Sequence, residues 1–209
     1  MFRTAASTKL NAKKQKGKGS AVRGGVVLLL LVIMMVGYYY YLSNKANQSE
    51  SKIPKMTVAQ ELISRDLENN YPPTPKEVVK YYSDITRCYY NEEYSKEELE
   101  QLAMNARILY DDELSANNDW SKYIMDLQSD ITDYEDKSIR ISNYSISAST
   151  DVDYFSEDGF DFARLHCIYT LSNGSTKQPV DEVYLLRKDD NGHWRIYGWN
   201  LANNVTLEQ

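Results

Sequence analysis

The feature that most constrains this chain is a stretch of 19 residues, Gly24 to Leu42, without a charged side chain. As a helix it would extend roughly 28 Å, about the thickness of a bilayer's hydrocarbon core. Tyr38 to Tyr41 close it with amphipathic rings of the kind that settle at headgroup level. Its two flanks differ in sign. Residues 1–23 carry Arg3, Lys9, Lys13, Lys14, Lys16, Lys18 and Arg23 and no acid, which leaves 17 of the 24 basic residues against all 30 acidic ones further on. The basic flank is therefore expected in the cytoplasm and everything after Leu42 outside. Bulky tyrosines stand where a signal peptidase needs small residues, so the stretch reads as an uncleaved anchor. No cysteine follows it to carry a lipid, the first being Cys88.

The same context decides how the Lys-rich head is read. Gly17-Lys18-Gly19-Ser20 lacks the full spacing and the strand-to-helix setting of a phosphate loop. Membrane topology and anionic lipid account for its charge, so the lipid bilayer is an expected partner and nucleic acid is not. Residues 43–56 are polar and aperiodic and read as a tether. The expected plan is a basic cytoplasmic tail over 1–23, a transmembrane helix over 24–42, the tether over 43–56, an outer domain over 57–203 and a short tail over 204–209.

Within the outer domain, helix signals come first. Thr57 and Gln60 have capping-box spacing ahead of Leu62, Ile63 and Leu67. Thr74-Pro75-Lys76-Glu77 predicts a helix from residue 75, with Val78, Tyr82, Ile85 and Tyr89 on its buried face out to about Asn91. Ser95 and Glu98 form a second box before Leu99, Leu102, Ala103, Ala106, Leu109 and Tyr110. A further helix from Asn118 or Asp119 should bury Tyr123, Ile124, Leu127, Ile131 and Tyr134.

After Lys137 the period falls to two, and Asp158-Gly159, Asn173-Gly174 and Asn191-Gly192 mark hairpins. Strands are predicted over 139–149, 160–171, 180–188 and 193–201, joined as an antiparallel meander. Helices followed by strands indicate an α+β domain with helices on one face of a sheet.

The segment Asp66 to Leu99, DLENNYPPTPKEVVKYYSDITRCYYNEEYSKEEL, preceded by a basic head and an apolar run, resembles an uncharacterised family of single-pass membrane-anchored proteins from Gram-positive gut bacteria of the Clostridia type. That resemblance implies a location and a domain boundary but no catalytic residue. Helices followed by a curved four-stranded sheet that closes on Lys188 to Trp199, KDDNGHWRIYGW, are similar to the NTF2-like, cystatin-related cones. The resemblance implies a pocket between sheet and helices, in a fold that serves isomerases, ligand binders and assembly modules alike.

No nucleophile, cofactor or metal motif stands out. His166 and Cys167 are neighbours in a predicted strand and point to opposite faces. His193 follows a hairpin glycine and reads as a surface residue. Cys88 and Cys167 could bridge in an oxidising compartment, although two separate buried thiols are the commoner outcome. Asp151, Asp153, Glu157, Asp158 and Asp161 crowd one loop, but Phe155 and the late Gly159 break the calcium-loop pattern, leaving a solvated hairpin loop. If a pocket exists, Ala163, Leu165, Cys167 and Tyr169 form the helix-facing side of their strand, opposite Phe162, Arg164, His166 and Ile168. Tyr169, Cys167, Leu165 and Tyr82 are the resulting candidate ligand-binding residues, with no catalytic residue, metal ligand or cofactor. Neither of these two sets offers an acid to accompany Tyr169. The expected role is a non-catalytic partner- or ligand-binding module of the cell envelope, with an envelope protein among the partners. The alternative is a membrane-tethered enzyme of the isomerase or hydrolase type. A cavity with two or more convergent ionisable groups would favour the enzyme, and a filled apolar interior would remove it.

Overall fold

The computed structural model describes residues 32–42 and 55–204. Contacts divide the chain into two units, residues 1–55 and 56–209. In the first, residues 32–42 are helical. The remainder of the expected anchor, residues 24–31, lies outside the described residues, as do the basic tail, most of the tether and residues 205–209. Among the described residues, no helix is long and apolar enough to cross a membrane.

The second unit begins with α1 (Val58–Ile63), whose Thr57 box closes in both directions with Gln60. α2 (Pro75–Asn91) starts where Thr74 Oγ1 accepts the Glu77 N–H at 3.2 Å and buries Val78, Tyr82, Ile85 and Tyr89. Asn91, its last residue, donates through its side-chain amide to Ile141 O at 2.8 Å and accepts from Ile141 N–H at 3.0 Å. In this way it acts as a strand partner for the sheet edge. α3 (Lys96–Ile108) carries the Ser95–Glu98 box and stops at Ile108, so Leu109 and Tyr110 are buried from the following loop and not from a helical turn. A short helix not expected from the periodicity, α4 (Asp112–Asn117), is capped by Asp111. α5 (Trp120–Asp136) is capped by Asp119 and buries Leu127 and Ile131. Tyr123, Ile124 and Tyr134 stay half-buried, against the expected continuous buried stripe.

The sheet is antiparallel, with β1 (Ile139–Ile146), β3 (Phe160–Asn173), β4 (Thr176–Lys188) and β5 (Trp194–Leu201) in that order. It has five strands among the described residues, not the expected four, because the first predicted strand ends at Ile146. The chain then turns through Ser149–Asp151 and returns as β2 (Asp153–Glu157), which pairs with the start of β3. Asp158 and Gly159 both have positive φ, 51° and 83°, the backbone twist that a two-residue hairpin between twisted strands requires.

Ala163, Leu165 and Cys167 of β3, Leu186 of β4 and Ile196 of β5 are fully buried in one cluster with Val78, Val79 and Ile85 of α2 and Leu102, Ala103 and Ala106 of α3. Two bulges interrupt the period of two. One lies between Ile141 and Asn143, the other opposite Leu185 and Leu186, where Tyr197 is the extra residue of β5. The α3–α4 loop is pinned to the sheet. The Arg187 guanidinium takes Asp111 through Nε at 2.9 Å and Nη2 at 2.5 Å, and Glu113 through Nη1 at 2.8 Å. Asp111 N–H donates to Ile196 O at 2.8 Å, and Ile196 N–H to Leu109 O at 2.7 Å.

Candidate functional site

A cavity of about 410 Å³ lies between α2, α5 and the helix-facing side of the sheet. α2 supplies Tyr82, Tyr89 and Tyr90, spaced so that one helical face meets the sheet. From α5 come Tyr123, Asp126, Asp130 and Tyr134, at steps of three and four residues. The sheet contributes Tyr169, Glu182, Tyr184 and Trp199, and the pinned loop contributes Tyr110. Its lining contains three carboxylates and no Lys, Arg or His.

The phenols are organised around Glu182. Tyr184 donates to Glu182 Oε2 at 2.8 Å, and each hydroxyl has one proton to give. The 3.0 Å bond between Tyr169 and Tyr184 is therefore donated by Tyr169, and the 2.7 Å bond between Ser83 and Tyr169 by Ser83. Cys167 Sγ lies 3.4 Å from Ser83 Oγ at the far end of this chain. Tyr82 and Tyr110 share a second phenol–phenol bond at 3.2 Å. Tyr89 differs. Its hydroxyl is buried and makes no hydrogen bond, although the Tyr123 phenol is near enough to weigh against its ionisation.

Burial sets the protonation of these groups. It pushes the Glu182 carboxyl above the usual range, partly opposed by the Tyr184 hydrogen bond. Burial also raises Tyr82, Tyr89, Tyr169 and Tyr184, so they remain donors and not phenolates. The Cys88 thiol is pushed up to about 12 by burial, with Glu92 adding to the effect. Cys167 is raised by burial, partly opposed by its contacts with Ser83 and Tyr169. Both cysteines are free and buried, and neither has the thiolate character of a nucleophile.

Of the four candidate residues, Tyr82 and Tyr169 stand in the cavity wall. Leu165 and Cys167 share the predicted strand face with Tyr169 but belong to the packed core, outside the lining. Asp161, the acid of β3, lies at the β2–β3 hairpin, and the acid beside Tyr169 comes from the neighbouring strand. Glu182 pairs with Cys167 and Tyr184 with Leu165, so alternation along Val180, Glu182, Tyr184 and Leu186 places both on the helix-facing side. The same period-two reading, applied to β4, would have found them.

The other sequence candidates lie elsewhere. His166 is exposed on the far face, its Nδ1 3.0 Å from Asp181. His193 is not a plain surface residue, since its ring stacks on Tyr71 with centroids 4.5 Å apart. The acidic loop residues are distributed over the β2–β3 hairpin, where Asp153 pairs with Arg164 and Asp161 accepts from Ser156. Among the described residues, no group of three or more His, Cys, Asp or Glu is placed to hold a metal ion.

Residues 12–199 match the family model of a domain of unknown function, DUF6715. The chain belongs to this family. No curated protein matches it. The DUF6715 match takes in part of the basic head, the whole apolar run and the folded unit up to Trp199, which is itself a residue of the cavity wall.

Proposed function

We propose that this DUF6715 protein is anchored by a single transmembrane helix with its N-terminus in the cytoplasm, and that its outer domain is an NTF2-like ligand-binding module of a Gram-positive cell envelope. Support for the anchor is the uncharged run between basic and acidic regions, with the whole run and most of both flanks inside one family match. The observation that carries ligand binding is the cavity itself. A domain that served only as a wedge in an assembly would gain by filling about 410 Å³ of interior with aliphatic side chains, whereas here rigid rings and a half-buried carboxyl hold the space open.

Topology is tested by single cysteines introduced at Asn11 and at Ser49, labelled in intact cells with a membrane-impermeant maleimide. Cys88 and Cys167 are buried and contribute little background. Labelling at 49 and not at 11 is expected, and the reverse overturns the orientation. Ligand binding is tested by native mass spectrometry of the full chain released from nonionic detergent. A stoichiometric small-molecule adduct that is lost in Tyr184→Ala is expected, and its absence from freshly isolated protein counts against the reading.

One observation favours the enzyme alternative. Glu182 combines a raised pKa with a line of phenol donors, a pattern that suits proton transfer next to a developing oxyanion. If the protein is an isomerase or hydrolase, wild type and Glu182→Gln will release chemically different molecules. The same molecule from both supports binding without turnover.

A further inference from the structure

We infer that the cavity takes a small organic cation, an amine or quaternary ammonium on an apolar body. This inference rests on the ligand-binding reading and specifies its ligand. Three features converge on the charge. The lining holds Asp126, Asp130 and Glu182 and no basic group. Lys122 engages Asp126 from the exposed surface of α5, but among the described residues no ion pair compensates Asp130 or Glu182. An anion would enter a site with no cationic partner, and a neutral guest would cover the half-buried Glu182 carboxyl without replacing its solvation, while the exposed Asp130 adds its negative field.

The walls select the same class. Tyr82, Tyr110, Tyr184 and Trp199 form a cluster in which Tyr82 lies 5.5 Å from Trp199 and 5.9 Å from each of Tyr110 and Tyr184 between ring centroids. Trp199 lies 5.8 Å from Tyr110 and 6.0 Å from Tyr184. Such rings present electron-rich faces, and a desolvated ammonium gains from each one it approaches. On the helix side Tyr90 stacks on Tyr134 at 4.1 Å, giving a flat apolar wall for the rest of the ligand. The Tyr89 hydroxyl, 5% exposed, makes no hydrogen bond of good geometry even with the Tyr123 phenol near it, and this is the independent observation that points to a ligand. A buried phenol without a partner costs roughly 1–3 kcal/mol, which an N–H or hydroxyl of the ligand would recover. The volume suits a small molecule.

The test is isothermal titration of the full chain in maltoside detergent with four compounds of defined charge. Choline and benzyltrimethylammonium are the cations, 3,3-dimethylbutan-1-ol is the uncharged carbon analogue of choline, and 3,3-dimethylbutanoate is the anion. Both cations should bind at least tenfold more tightly than the alcohol, and the carboxylate should not bind. In the double variant Asp130→Asn, Glu182→Gln, cation affinity should fall at least tenfold while that of the alcohol is unchanged. Because the comparison among compounds is made on the wild-type chain, it stands even if the double variant unfolds. Equal or tighter binding of the alcohol or the carboxylate overturns the cation assignment and leaves the ligand-binding reading intact. Failure of all four compounds at millimolar concentration overturns both.

Discussion

Leu165 and Leu186 lie on the same faces of the same strands as Tyr169 and Tyr184, yet the two pairs belong to different kinds of interior. The leucines meet α2 and α3 with aliphatic side chains and have no appreciable exposure. The tyrosines are buried too and touch α2 directly, Tyr169 through Ser83 at 2.7 Å, but they also border the open space that α5 faces. Strand alternation aims both pairs inward, so backbone geometry does not distinguish core from site. Residue type does. Branched aliphatics interdigitate and close up, whereas phenols joined through their hydroxyls at about 3 Å are held at fixed separation and brace the cavity.

The largest expected effect comes from the ion pair that joins the two parts. Arg187 and Asp111 side chains are 13% and 6% exposed, and Asp111 both caps α4 and fixes the loop carrying Tyr110 into the cavity wall. Asp111→Ala strands a buried guanidinium and should cost about 3–5 kcal/mol in chemical denaturation. Loss of ligand binding should accompany it, because Tyr110 is released. A variant of near wild-type stability would show that Glu113 alone anchors Arg187.

Next, the two interiors should answer truncation differently. Leu186→Ala empties a packed site and is expected to cost about 2–5 kcal/mol. Tyr134→Ala removes a larger, half-buried ring that already borders open space, so only about 1 kcal/mol of stacking and burial should be lost. Binding should show the opposite order. If Tyr134→Ala destabilises as much as Leu186→Ala, the wall is core and the cavity does not serve as a site.

The packed interior was the more legible of the two from sequence. Helix caps at Thr57, Thr74 and Ser95, the inward set on β3 and three glycine turns follow from local rules, and the structure carries each of them. The cavity depended on events those rules do not encode. Tyr197 bulges out of register, so Ile196 and Trp199, three residues apart, reach the same side where strict alternation would have aimed Trp199 away. The bulge after Ile141 likewise brings Tyr144 beside Tyr169. β2 was missed because the acids of its hairpin read as a loop, and α4 because six residues carry too little periodicity to register. Glu182 was legible in principle, from one further strand read by the same period.

Glu182 sharpens the comparison through pH. Burial holds its native pKa above the unfolded value, so as pH rises from about 4 the unfolded chain releases its proton first and native stability falls. Glu182→Gln should therefore be more thermostable than wild type at neutral pH, with the gap in Tm closing at about pH 4. The groups facing Glu182 are Tyr90 from α2, Tyr134 from α5, Cys167 and Tyr169 from β3 and Tyr184 beside it on β4. All five are raised and stay protonated across this range, and Asp126 and Asp130, the other carboxylates of the cavity, are present in wild type and variant alike, so the difference between the two profiles reports Glu182. A constant gap, or one that widens toward acid, would place Glu182 in water.

The smallest effect concerns Asp126, the one lining carboxylate with a cationic partner among the described residues. Lys122 sits one helical turn away and pairs with it at 2.5 Å on the exposed side of α5. Such surface pairs contribute little to stability, so Lys122→Gln should leave Tm unchanged. It does free a negative charge in the cavity wall, and affinity for benzyltrimethylammonium should rise about twofold at low salt, with the gain lost near 1 M salt by screening. Lys122 is the single basic residue of α5. A fall in affinity would mean that Lys122 holds Asp126 in the orientation the ligand needs. In that case the pair, and not the bare carboxylate, belongs to the site.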